Sequence, residues 1–384
     1  MEPTLQRQLI RELLDHLQHN SCPTRATAQT SPCARYTDER RWRQEIQQLF
    51  KRRPQVVALA SELPAVGDFL TRQVLDWPLL LTRTSKHEVK AFINVCRHRG
   101  VKLVDAEKGC KKAFTCPYHA WTWKNDGSLL RARLEDLAFP ELQPQDYGLH
   151  ALTCVVANGL VWVTLDGGSE AETLDFIRPL MDDFQSWGFD QLSVKCSERI
   201  QVAANWKLIV EGGIESYHFK VAHRDTIAPH FLDSLSSYQV LRSHMRSVLP
   251  RASLGQLQAQ DEAQWRLREH ANVLYNVFPA TQFLLMPDHV AWVSTRPIAV
   301  DQTEITLCTI APPDDGSEAM AQHWRTNQAI TSRTLKEDFA LNESTQAGLH
   351  TPVNTHLNFG RLEGALHDFN TLVEDQLPTE TPMT

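Results

Sequence analysis

The sequence predicts an α+β chain in which a compact β-rich segment precedes a half where strands alternate with helices. Three observations predict it. From about Leu63 to Leu165, short apolar runs such as VKAFINVC, KAFTC and LVWVTL alternate with turn residues, among them Lys124-Asn125-Asp126-Gly127. Further strand-like runs follow at VLYNVFP, TQFLLMP, VAWVSTRPI and EITLCTIAP. The longest helical texture, EAMAQHWRTNQAITSRTLKEDFALNESTQAGL, comes last.

The elements follow in order. Leu5, Ile10, Leu13, Leu14 and Leu17 have the spacing of one amphipathic helix. The Ser/Thr/Pro-rich SCPTRATAQTSPC then reads as a loop. TDERRWRQEIQQLF predicts a second helix with Thr37 as its cap. After the β-rich segment, GGSEAETLDFIRPLMDDFQSW reads as a loop entering a helix. The texture of LSVKCSERIQVAANWKLIV is strand-like and turns helical over NWKLIVEGGIESYHFKVAHR. The polar, Pro-containing end EDQLPTETPMT is expected to fray. Boundaries fall at 1–40, 41–165, 166–370 and 371–384, the last a flexible tail.

Composition narrows the function classes. A chain of 384 residues suggests about two domains. Lys plus Arg is 39 and Asp plus Glu is 46, a formal net charge of −7, which argues against a general nucleic-acid binder. No run of about 18 apolar residues exists, so no membrane-spanning helix is expected. The start, MEPTLQRQLIRELLDHL, lacks the apolar core of a signal peptide, and a cytoplasmic location is the expectation. Of eight cysteines, only Cys96 and Cys116 sit in a patterned context.

That pattern is Cys96-Arg97-His98-Arg99-Gly100 and Cys116-Pro117-Tyr118-His119-Ala120-Trp121, each following a strand-like run. Unrelated core residues, a structural zinc site and a Rieske [2Fe–2S] cluster are the three readings. Zinc fingers pair Cys with Cys and His with His. Here each loop carries one Cys and one His, so each can send its thiolate to one iron and its imidazole to the other. Gly100 allows a sharp turn and Pro117 stiffens the second loop.

A second pattern is Glu215-x-x-His218-x4-His223. Two imidazoles and one carboxylate form the facial triad of non-haem Fe(II) oxygenases, with positions left open for O₂ and substrate. At about 100° per residue, Glu215 and His218 share a helix face while His223 lies about 140° from His218. The helix is therefore expected to break or bulge between the two histidines.

C-x-H-R-G followed by C-P-Y-H-x-W resembles the cluster motif of Rieske-type non-haem iron oxygenase alpha subunits, with Ala120 where the family usually has Gly. Tyr118 stands where respiratory Rieske proteins carry an extra Cys, which favours the oxygenase type. The stretch from Asn205 to His223 resembles the family's N-W-K … E-N … D/E-x-x-H-x4-H pattern, with Gly212 in place of the usual Asn. Leu335–Glu343, with Gln346 and Gly348, resembles its E-D … E … Q-x-G stretch.

The resemblance implies a Rieske β-domain (41–165) before a helix-grip catalytic domain (166–370) whose antiparallel sheet wraps a long helix. The segment 1–40 is expected to pack on the catalytic domain. The implied cofactors are a [2Fe–2S] cluster on Cys96, His98, Cys116 and His119, and a mononuclear Fe(II) on His218, His223 and Asp338. Glu337 is the alternative third ligand. Asp225 is expected to orient His223 from outside the ligand set. Glu215 would bridge to His119 or His98 of a neighbouring subunit, which implies a homo-oligomer, usually a trimer. O₂ is the co-substrate, and NAD(P)H acts indirectly through a reductase, with or without a ferredoxin.

The implied activity is hydroxylation of a small, aromatic substrate. The alternatives are dealkylation or quaternary-amine monooxygenation, to which the chain's length points, and, from other classes, a Rieske electron carrier or a zinc-stabilised binding protein. Arg97, Arg99, Lys102, Lys108, Lys111 and Lys112 concentrate positive charge near the cluster loops, a docking face for an acidic donor. Phe278, Leu284, Leu285, Met286, Val290 and Trp292 are candidate pocket residues.

Overall fold

The computed structural model describes residues 1–378. The chain forms two compact units, one of residues 50–178 and 188–192, the other of 1–49, 179–187 and 193–384. The β-rich unit thus begins at Phe50 rather than residue 41. Residues 41–49 join the other unit because Trp206, Lys207 and Arg41 all reach Glu45, which is fully buried.

The chain opens with a helix, Pro3–Gln18, that buries Ile10, Leu13 and Leu14, and a short strand β1 (Gln29–Pro32). The next helix, Glu39–Glu45, continues into wider turns over Ile46–Lys51. Its cap is Asp38, not Thr37: the Asp38 carboxylate accepts from Arg41 N at 2.9 Å, while Thr37 ends the preceding turn.

Within the β-rich unit, β2 (Gln55–Leu59), β3 (Asp68–Val74), β4 (Trp77–Ser85), β5 (Glu88–Ile93), β6 (Lys108–Cys110), β10 (Ala151–Ala157) and β11 (Leu160–Thr164) make one antiparallel sheet in the order 2-11-10-5-4-3-6. The intervening β7 (Ala113–Thr115), β8 (Thr122–Lys124) and β9 (Leu129–Arg131) make a second, three-stranded sheet. Phe69, Leu80, Phe92, Phe114, Trp121 and Trp123 form a core in which Cys96 and Cys116 are embedded.

In the other unit, β12 (Ser193–Val202), β13 (Ser237–Leu241), β14 (His244–Pro250), β15 (Ala271–Val277), β16 (Thr281–Leu285), β17 (Val290–Ala299) and β18 (Gln302–Ala311) form an antiparallel sheet ordered 12-18-17-16-15-14-13. A helix of 32 residues, Glu318–Leu349, capped by Ser317 Oγ, packs on β12 and β18. This is the expected sheet around a long helix. A last strand β19 (His356–Phe359) pairs with β1. The closing helix Gly364–Glu374 buries Phe369, Asn370 and Val373. Residues 371–374 are therefore helical rather than tail, and 379–384 lie outside the described residues.

Side-chain alternation gives the sheet two distinct faces. Leu284, Ala291, Val293, Ile305 and Leu307 point to the face carrying Leu208, Ile209 and Phe339. Phe283 and Tyr275 point the other way, onto Phe184. The register puts Trp292 opposite Phe283 and Val290 opposite Leu285. Five of the six candidate pocket residues are thus split between two walls: Leu284 and Met286 pack on the helix-bearing face, while Leu285, Val290 and Trp292 lie on its reverse.

Candidate metal centres

The first constellation is built on two loops of the same geometry. Cys96 N donates to Val101 O at 2.8 Å and Gly100 N to Cys96 O at 3.0 Å. Cys116 N donates to Trp121 O at 2.8 Å and Ala120 N to Cys116 O at 3.1 Å. Each loop thus needs a left-handed residue four places after its Cys, supplied by Gly100 (φ 77°) and Ala120 (φ 59°). The base of the first loop is fixed by buried Asn94, whose amide bonds both Val104 O and Val104 N. Trp121 stacks on the His98 ring with centroids 5.1 Å apart.

The four side chains fit a two-iron cluster. Cys96 and Cys116 are buried and free of any disulfide. The His98 and His119 rings lie 4.6 Å apart, and the Nδ1 atom of each is buried without a hydrogen-bond partner. Two such orphaned nitrogens beside two buried thiols ask for metal.

The second constellation is a group whose donor atoms all lie within 4.8 Å of one another: His218, His223 and Asp338. His218 Nε2 and His223 Nε2 are 3.2 Å apart, and Asp338 Oδ1 lies 3.4 Å from the first and 3.0 Å from the second. Sequence geometry placed the helix break between the histidines. It lies upstream instead: the helix Trp206–Ile214 ends, Glu215 is extended, and one short turn, Phe219–Ala222, separates His218 from His223. That turn brings the two rings together.

The remaining ring nitrogens are also held. Glu215 Oε1 contacts His218 Nδ1, and its other oxygen accepts from Tyr217 N. Glu337 Oε2 lies 2.8 Å from His223 Nδ1 and accepts from Thr226 Oγ1 at 2.7 Å. Carboxylates that take Nδ1–H leave Nε2 as a lone pair for metal. Glu337 thus faces Nδ1 of His223, and the adjacent Asp338 faces Nε2 of both histidines. Asp225 is a correction: its side chain is 75% exposed and pairs with Arg224 at 3.3 Å, while Glu337 occupies the place expected for it.

The site seeks positive charge. Burial works against protonated His218, but hydrogen bonds to Asp338 and Glu215 outweigh it and lift its pKa to about 10. His223 is raised in the same way, and Asp338 is held low despite burial by the two imidazoles. A divalent cation would take the place of those protons.

The helix that leads into the site is anchored by charges. Lys207 Nζ lies 2.7 Å from both Glu45 oxygens, with neither residue exposed. Glu211 Oε1 accepts from Tyr36 Oη (2.7 Å) and Asn370 Nδ2 (2.8 Å). Sequence reasoning missed this network; the polar residues Lys207 and Glu211 inside the apolar run WKLIVEGGI were its signal. A groove of about 960 Å³ lies elsewhere, between β12 and the long helix, and none of the three donors lines it.

Comparison with known proteins agrees with this geometry. Residues 53–138 match the model of the Rieske [2Fe-2S] domain, and residues 189–379 match that of the ring hydroxylating alpha subunit (catalytic domain). The glycine betaine monooxygenase oxygenase subunit of Pseudomonas aeruginosa is 34% identical over 50% of this chain and 44% of its own length. The carnitine monooxygenase oxygenase subunit of Escherichia coli K12 is 31% identical over 57% of each. The biphenyl 2,3-dioxygenase subunit alpha of Rhodococcus jostii is 34% identical over 46% of this chain and 39% of its own. The chain thus spans about half the length of the curated relatives it matches.

Among solved structures, the quaternary ammonium Rieske monooxygenase CntA with L-carnitine superimposes with a TM-score of 0.79, at 22% identity over 92% of this chain and 96% of that one. Naphthalene 1,2-dioxygenase from Rhodococcus sp. gives 0.76 at 17% identity over 98% and 99%. No helix of the described residues is long and apolar enough to cross a membrane. Two matched domains, each carrying the donor set that its name requires, lead to one conclusion: the chain belongs to the Rieske-type non-haem iron oxygenase alpha subunits.

Proposed function

We propose that the chain is a terminal oxygenase that uses O₂ and electrons from a separate reductase to oxidise a small quaternary amine. The observation that carries the oxygenase reading is the pairing, in one chain, of the Cys96–His98–Cys116–His119 set with the His218–His223–Asp338 triad. An electron carrier needs only the first set. The quaternary-amine substrate rests on the glycine betaine and carnitine relatives, and it replaces aromatic hydroxylation as the leading reading. The aromatic reading stays second, favoured by the biphenyl and anthranilate dioxygenase relatives.

In this reading Cys96 and Cys116 hold one cluster iron, and His98 and His119 hold the other through Nδ1. His218, His223 and Asp338 hold the mononuclear iron. When bound, the cluster supplies single electrons and the ferrous site binds O₂. The chain's own residues orient and insulate. Glu337 and Glu215 fix the two imidazoles, and Trp121 covers His98. Glu215 also serves as the bridge to His119 or His98 of a neighbouring protomer in a trimer. Its carboxylate is buried, and each oxygen already takes one donor but keeps a second lone pair for a partner imidazole.

Arg97, Arg99, Lys108, Lys111 and Lys112 are exposed, and with Lys102 they offer the electron donor a basic face. Eight cysteines without a disulfide suit a reducing, cytoplasmic setting.

The test is a substrate panel scored by O₂ uptake and product mass with a surrogate reductase. Demethylation or hydroxylation of a quaternary amine is the expected result. Turnover of arenes alone would transfer the assignment to the aromatic reading.

A further inference from the structure

Among the described residues, the sheet face beneath the iron-bearing segment carries two side chains with buried polar atoms left unpaired, Thr295 through its hydroxyl and Asn276 through both atoms of its amide. Asn276 is 1% exposed, and both Nδ2 and Oδ1 are buried without a hydrogen-bond partner. Register places it directly between Met245 and Gln282. Gln282 Nε2 donates to Val210 O at 3.0 Å, and a side chain at Gly213 would strike the Gln282 amide. In the adjacent row Ser247 Oγ donates to Ile214 O at 3.3 Å. The neighbours of Asn276 therefore touch residues 210–214, which run straight into Glu215 and His218. Asn276 shares their face.

A buried amide with neither donor nor acceptor used costs stability, and natural proteins rarely keep one without a use. Its two free atoms define what would satisfy it. A carboxylate accepts from Nδ2 but repels Oδ1, and an ammonium methyl group meets neither need. A hydroxyl does both: it accepts from Nδ2 and donates to Oδ1.

We propose that Asn276 anchors a hydroxyl group of the substrate, so that the preferred substrates are quaternary amines bearing a hydroxyl. This rests on the quaternary-amine reading above and narrows it. A hydroxyl-bearing substrate is favoured because it pairs an amide that stays unpaired, as in the free protein, when the analogue lacking the hydroxyl binds. Asn276 is a specificity-determining residue and takes no part in metal binding.

The test is calorimetric titration of the iron-loaded full chain with L-carnitine and γ-butyrobetaine, which differ only by that hydroxyl, and with salicylate and benzoate, related in the same way. Wild type is expected to bind L-carnitine about tenfold more tightly. In Asn276→Leu the two amines bind alike, with γ-butyrobetaine unchanged. Asn276→Ala serves the same purpose should the leucine variant fail to fold. Equal affinities in wild type, or a preference that survives both substitutions, overturns the anchor and leaves the quaternary-amine reading standing. If neither amine binds, that reading fails and the aromatic pair decides: a salicylate preference lost in Asn276→Leu retains the anchor, and its absence refutes it.

Discussion

Glu337 and Asp338 are neighbours on one helix that face different atoms of His223, and the proposed reading gives them different work. Replacing Glu337 with Gln separates the two roles. The carboxylate accepts from Thr226 at 2.7 Å and lies 2.8 Å from His223 Nδ1, so the imidazole presents Nε2 toward His218 and Asp338. A Gln amide either offers an NH₂ to Nδ1, which reverses the tautomer, or keeps the contact without charge. Losses of such orienting partners cost 10–100-fold in metal affinity, or about 1.4–2.7 kcal/mol. Asp338→Asn replaces the charged oxygen 3.0 Å from His223 Nε2 with a neutral amide and should abolish stoichiometric binding. Competitive titration of apo-protein with Fe(II) or Co(II) against a chelator measures both, and the reduced-cluster spectrum serves as an internal control. If Glu337→Gln loses all metal while Asp338→Asn binds like wild type, the assignment is reversed and the reasoning fails.

Three further outcomes follow from the same contacts. Lys207→Met strands the Glu45 carboxylate among Trp206 and Arg41 and should cost about 3 kcal/mol in denaturant unfolding, most of it recovered in the Lys207→Met/Glu45→Leu pair; a loss below about 1 kcal/mol would contradict the buried pairing. Ala120→Gly relieves a left-handed alanine (φ 59°), and against glycine's looser unfolded chain it should gain up to about 1 kcal/mol with the cluster spectrum unchanged; destabilisation would show that the loop does not need that conformation.

Burial, against hydrogen bonds from Tyr36 and Asn370, raises Glu211 to about 7 from 4.5. Since its folded pKa is the higher one, its contribution is fully present below pH 4.5 and is lost as pH rises toward 7, by up to about 3 kcal/mol. Glu211→Gln should flatten that slope, and an unchanged slope would refute the assignment.

The cluster set was legible because each loop is a local motif: Cys, His and the left-handed residue fall within six positions, and strand-end placement follows from composition. The triad was legible as residue types but less so as geometry. One helical residue turns by about 100°, so sequence alone could not say which of Glu337 and Asp338 faces the histidines. Asp225 adjoined them in sequence yet faces solvent, and Glu337 took its place from a distant helix. The pocket residues show the opposite case. Strand parity already separates Leu284 and Met286 from Leu285, but hydrophobicity hid the alternation because both sheet faces are buried. The start of the β-rich unit at Phe50 was illegible because Glu45 is held by partners some 160 residues away.

The most direct measurement is iron and acid-labile sulfide per chain in anaerobically reconstituted protein, repeated for His218→Ala. Three irons and two sulfides are predicted, with His218→Ala keeping the His-ligated cluster's paramagnetic signal and two irons while losing the third and all turnover. Zinc in place of iron, two irons in the wild type, or turnover surviving in His218→Ala would contradict the pairing of a cluster and a lone ferrous ion in this chain.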